Sequence, residues 1–184
     1  MLNLDAREAH HMLAETVLPT SDQSGCRTLA TASHDQLRSY WLQNAVKAHT
    51  FHKNGNIKHA AVLFTQCVSI ASKLVITKSP NEAEQTGIEL LYFASHNLSA
   101  CQNLLRQGTN AEQTLRHVYY TIVELCEAPD VTYETRLEAL AVLDKSLFSL
   151  TSQLAYLGKA EQIHALIFVT DAVADKTLKL LQDK

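Results

Sequence analysis

Residues 48–67 read AHTFHKNGNIKHAAVLFTQC, and this stretch decides how the chain folds. Upstream of it, Leu37, Trp41, Leu42, Ala45, Ala48 and Phe51 recur at three-and-four spacing, the signature of a helix with one apolar face. Asn54-Gly55-Asn56 breaks that pattern, and Gly55 supplies the left-handed backbone a helix terminus needs. The pattern resumes at once with Ala60, Ala61, Phe64, Val68, Ala71 and Leu74. Two helices joined by so short a loop must lie antiparallel. The spacing predicts helices over 34–53 and 57–77.

The rest of the chain repeats the arrangement. Ser79-Pro80-Asn81-Glu82 reads as a helix start, with Ser79 as cap, Pro80 in the first turn and Glu82 completing a capping box. A third helix is expected from there to about Gln107, with Gly87 inside it. Gly108-Thr109-Asn110 is the next turn, and a fourth helix covers 111–127 before Pro129. Asp130 or Thr132 caps a fifth helix reaching Leu157; Gly158 turns the chain into a sixth over 159–181. The turns at Gly55, Gly108 and Gly158 mark a repeat of near-fixed period, the mark of stacked helical units. Upstream, Ala9, Met12, Leu13 and Val17 outline a weaker helix over 5–18, ended by Pro19 and followed by a Ser/Thr-rich linker over 20–33. The expected organisation is an N-terminal helix and linker over 1–33, then a helical repeat domain over 34–184.

Composition agrees with sustained helix. Five glycines and three prolines in 184 residues fall far below the about 12% of average usage, too few for the turns of a β fold. Net charge is −3 with both signs mixed along the chain, so no basic block calls for nucleic acid. The longest unbroken apolar run is of the order of Ala60–Phe64, against about 20 residues for a bilayer span. The first residues, Met-Leu-Asn-Leu-Asp-Ala-Arg-Glu, do not read as a signal peptide. A cytoplasmic protein with no membrane partner is expected. Cys26, Cys67, Cys101 and Cys126 form no CxxC pair and read as reduced, mostly core thiols.

The quoted hairpin resembles the tetratricopeptide-repeat superfamily. Ala48 stands at its small first-helix position, Phe51 at its aromatic and Gly55 at its turn. Ala60 and Phe64 form its A-x3-F, and Cys67 takes a further small position. Its early aromatic and leucine fall instead at Asn44 and Lys47, and its closing proline near Ser72. Asn97–Cys101 and the Gly158-Lys159-Ala160 turn echo the pattern more weakly, and the period is near 50 rather than about 34. Over residues 40–165 the chain also resembles a bacterial family of small tetratricopeptide-like proteins, which brings no activity with it.

The resemblance implies an all-α fold of three antiparallel hairpins stacked as a short right-handed superhelix, plus the N-terminal helix. It further implies a non-enzymatic adaptor or regulator, without cofactor, that grips a partner peptide or helix on its concave face. Carried over from Gly55, that face is Leu42, Ala45, His49, His52 and Lys53, with Arg106 a further cation for an acidic partner. Members that clamp a C-terminal carboxylate place Lys and Asn where this chain has Ala45 and His49. The two ends of the array show no polar capping helix, so homodimerisation is expected.

Other chemistries have weaker signals. His49, His52 and His59 cluster about the first turn, but no acidic residue nearby supports a zinc site. Glu8-x-x-His11 and Glu161-x-x-His164, with Glu89 and Glu124, have the composition of a di-iron helical-bundle enzyme. A Cys101 thiol paired with His96 or His117 is a third catalytic reading, and a ligand-sensing regulator with a closed apolar pocket a fourth. There is no G-x-S-x-G and no Gly-rich phosphate loop. In Tyr119-Tyr120 and Tyr92-Phe93, adjacent rings cannot share a helix face, so one of each pair should be exposed.

Overall fold

Each helix starts and stops where side chains satisfy its loose backbone groups. The structure, a computed structural model, describes residues 31–76 and 86–182. The expected helix over 5–18, most of the linker and the Ser79-Pro80 start lie outside them. Six α-helices and no strand occur among the described residues. They are α1 (His34–Lys53), α2 (Ile57–Ile76), α3 (Gly87–Leu104), α4 (Gly108–Glu127), α5 (Tyr133–Tyr156) and α6 (Ile163–Gln182), the last preceded by a 3-10 turn at Ala160–Gln162.

Ser33 opens α1 with a full capping box: its Oγ accepts the Gln36 N–H and its own N–H donates to Gln36 Oε1. Thr132 caps α5 through the Thr135 N–H. Thr86 caps α3 through the Glu89 N–H, so α3 begins at Gly87 and does not run on from Pro80. A Cβ on Gly87 would stand 2.7 Å from the Leu74 carbonyl carbon. The missing side chain lets the first turn of α3 abut the last turn of α2.

The three tight turns share one hydrogen-bond pattern. Gly55 N–H donates to His52 O and Asn56 N–H to Phe51 O; Arg106 donates to Asn103 O and Gln107 to Gln102 O; Gly158 donates to Ala155 O and Lys159 to Leu154 O. These paired bonds define a Schellman terminus, whose pivotal residue is left-handed. That residue has φ 76° at Gly55, 60° at Arg106 and 71° at Gly158. Gly108 therefore does not make the second turn, contrary to the reading of the sequence. It is the first residue of α4, where a Cβ would come within 2.9 Å of the Leu157 side chain. Counted from the left-handed residues, successive turns lie 51 and 52 residues apart.

Each helix packs on the next, from α1 on α2 through α5 on α6, with further contacts between α3 and α5 and between α4 and α6. Residues Ser33–Lys184 form one compact unit. Ala48, Ala60, Phe64, Leu98 and Cys101 make one buried cluster, and Ala45, Cys67 and Ala94 a second. The small residues at 48 and 60 thus lie in the same cluster, letting α1, α2 and α3 approach closely. Phe51 is not buried with the rest of the apolar face on which its spacing places it. It is 36% exposed and stacks on His59, ring centres 5.5 Å apart, because it lies at the edge of the α1 stripe that Ala45 and Ala48 bury.

Among the described helices α2 alone is long and apolar enough to cross a membrane, although no unbroken apolar run in it approaches that length. Its buried residues, Ala60, Phe64, Cys67, Ile70, Ala71 and Leu74, include members of both clusters shared with α1 and α3. Polar seams join the later helices. Asn103 and Gln153 exchange amide hydrogen bonds between α3 and α5, 2.7 and 3.1 Å. Arg136, 4% exposed, donates to the Cys126 and Ala128 carbonyls and so closes the C-terminus of α4. The outer face of the last helix is mixed: Asp171 and Asp175 are exposed where the register places buried Tyr119 and Val123 in α4, beside exposed Ile167, Phe168 and Leu178.

Candidate functional site

The positions carried over from the repeat pattern do not all lie alike. Leu42 is 60% exposed, and His49, His52, Lys53 and Arg106 are exposed as well. Ala45 is buried, packed with Cys67 and Ala94. Leu42, Val46, His49 and Lys53 lie on one exposed face of α1, at spacings of three and four residues. Shifted by the 51 residues between Gly55 and Arg106, these become Phe93, Asn97, Ala100 and Leu104 on α3. Phe93 and Leu104 are 41% and 60% exposed. On α5, Phe148 and Tyr156 are each 73% exposed.

Between α1 and α3 lies a cleft of about 230 Å³ lined by Trp41, Ala45, His49, Phe64, Phe93, Ala94 and Asn97. His49 stands edge-on to Phe64, ring centres 5.4 Å apart. The Trp41 indole N–H is enclosed and has no acceptor among the described residues. Asn97 donates its amide to the Phe93 carbonyl one turn back, which orients it at the rim. The volume is below the roughly 300–1,000 Å³ of a drug-sized ligand site and suits one bulky side chain.

Clusters along the three helices set the direction of the cleft. Ala45 meets Cys67 and Ala94, Ala48 meets Ala60 and Leu98, and Gly87 meets Leu74. Helices α1 and α3 therefore run parallel, both antiparallel to α2, and the Gly55 and Arg106 turns fall at the same end. His49, His52, Lys53 and Arg106 share that end.

Beside this face, Tyr92 Oη and His96 Nδ1 each lie 3.3 Å from Ser149 Oγ, joining α3 to α5. Elsewhere Glu112, 5% exposed, takes a hydrogen bond from Lys159 at 2.6 Å and another from Arg116 at 2.9 Å. Burial pushes its carboxyl up, but the two cations more than offset this and hold it below the usual range. Arg116 also donates to Gln162, tying α4 to the third turn.

Part of each catalytic reading falls among the described residues. Among the described residues no three His, Cys, Asp or Glu side chains gather as a metal site. Glu161 lies in the 3-10 turn, Glu89 on α3 and Glu124 on α4, while Glu8 and His11 fall outside the described residues. His59 is held by Asn56, Nδ1 to Oδ1 2.7 Å, and stacks on Phe51. Cys101 is buried among Ala48, Ala60, Phe64 and Leu98, and burial raises its thiol pKa. The Cys67 thiol, bonded to the Trp41 carbonyl at 3.6 Å, is pushed up to about 12 by burial. Of the paired rings, Tyr119 is buried with its hydroxyl on Thr170, and Tyr120 and Phe93 are exposed.

Leu104, Phe148 and Tyr156 have no role in the sequence reading, Phe93 enters it only as one ring of an adjacent pair, and the place of Trp41 in the cleft is new. Counting from Gly108 shifts the register by two residues, about 200° around a helix, onto the opposite face. No family model, curated protein or solved structure matches this chain.

Proposed function

We propose that the chain is a non-enzymatic, cytoplasmic adaptor or regulator that binds a partner peptide or helix. Helices α1, α3 and α5 would line the concave face of a short, tetratricopeptide-like right-handed superhelix, with no cofactor. The observation that carries this reading is the register itself. Leu42 on α1 with Phe93 on α3, and Leu104 on α3 with Tyr156 on α5, stand exposed at positions matched through the turns, and Val46 and Phe148 are exposed on the same helices. Scattered exposed apolar residues need no explanation, but their recurrence at matched positions of successive hairpins supports an interaction surface.

A second copy of the chain is one such partner.

The test is comparative capture. Tagged wild type and a His49→Glu/His52→Glu variant, matched in thermal melting, are used to recover partners, which are identified and rebound as purified proteins. Loss of the rebound partner by the variant is expected. Equal binding by both removes this face from the assignment.

A further inference from the structure

Grouped by helix, the charges are segregated. Between residues 31 and 76, Arg38, Lys47, Lys53, Lys58 and Lys73 are set against Asp35 alone, although the whole chain is at −3. Histidines 34, 49, 52 and 59 lie in the same stretch. Both helices of this cationic pair line the cleft, and His52, Lys53 and Arg106 lie beyond it at the ends of α1 and α3. Arg106 also holds a left-handed backbone, φ 60°, where the other two turns use glycine. A side chain kept at such a position is retained against a conformational cost.

Inside the cleft the chemistry is different. Phe64, Phe93, Ala45 and Ala94 supply apolar walls, with Trp41 beside them.

From these two independent features we infer that the α1–α3 cleft seats one bulky apolar side chain of an acidic partner segment, whose carboxylates lie toward Lys53 and Arg106. The inference rests on the proposed binding face and names what the face selects. Opposite charge gives orientation and encounter rate, and the filled cleft gives residence time.

Trp41 is the only tryptophan in the chain, so its emission reports on the cleft directly. Random twelve-residue phage-displayed peptides are selected on the full-length protein. Enriched, tryptophan-free peptides are then synthesised and titrated against Trp41 fluorescence. Acidic sequences with a Leu, Ile or Phe anchor should emerge, and they should shift the emission. Lys53→Glu/Arg106→Glu and, separately, Phe93→Ser should each weaken them by about tenfold or more. Ile76→Ser, at an 82% exposed site on α2, should leave them unchanged.

Enrichment of basic or uncharged peptides that still need Phe93 overturns the acidic partner and spares the binding face. Peptides indifferent to both cleft variants overturn the two readings together. If no peptide enriches, the inference falls, and the His49/His52 comparison decides the face alone.

Discussion

Arg106 repeats, 51 residues on, the left-handed backbone of Gly55, with φ 60° at the arginine and 76° at the glycine. An L side chain in that region costs about 1–2 kcal/mol that glycine avoids. Arg106→Gly is therefore expected to raise stability by about 1 kcal/mol in urea unfolding, less the extra chain entropy of glycine. Gly55→Ala and Gly158→Ala should each lower it by about 1 kcal/mol, although an added Cβ meets nothing within 4 Å at either site. The more stable Arg106→Gly protein should also bind acidic peptides more weakly. An Arg106→Gly protein less stable than wild type would show that the side chain supports the turn.

Glu112 should make stability depend on pH. Its folded carboxyl lies below the ordinary 4.5, held by Lys159 and Arg116. A depressed folded value adds stability above the unfolded value and loses it as the folded carboxyl takes up a proton. Glu112→Gln should cost about 1–2 kcal/mol at pH 7, and the gap from wild type should close as pH falls below 4.5. A gap that persists at pH 3 would mean that packing, not charge, accounts for the loss.

The three described thiols should be silent in the native state. Burial pushes Cys67 up to about 12 and Cys126 up to about 11, and it raises Cys101. The thiolate is the reactive form. In a Cys26→Ser background, Ellman's reagent at pH 8 should titrate no thiol until denaturant is added. Rapid native reaction at any of the three would contradict its burial.

Asp171 and Asp175 should keep further helices off α6. Asp171→Tyr with Asp175→Val restores the pattern of Tyr119 and Val123 on α4, where both are buried. The double variant is expected to self-associate in light-scattering chromatography, and wild type at the same concentration should not do so through this face. An unchanged mass for the double variant would refute the capping role.

Much of the architecture is visible in local chemistry. Ser33-x-x-Gln36 announces the start of α1, and Gly55 and Gly158 announce two turns, because caps and left-handed residues act over a few neighbouring groups. Arg106 did not announce the third, since arginine is ordinarily right-handed. The nearby Gly108, whose small size serves contact with Leu157, invited the wrong register.

The sequence by itself determined that the chain is helical, where most helices begin and end, and that Ala48, Ala60, Phe64 and Cys67 belong inside. Periodicity and capping are properties of adjacent residues. Only tertiary structure decided that Phe51 stays at the rim and that Trp41, His49 and Phe93 line one cleft. Those relations join residues about fifty positions apart. They depend on which stripe of each helix its neighbour covers, and a displacement of two residues is enough to reverse that choice.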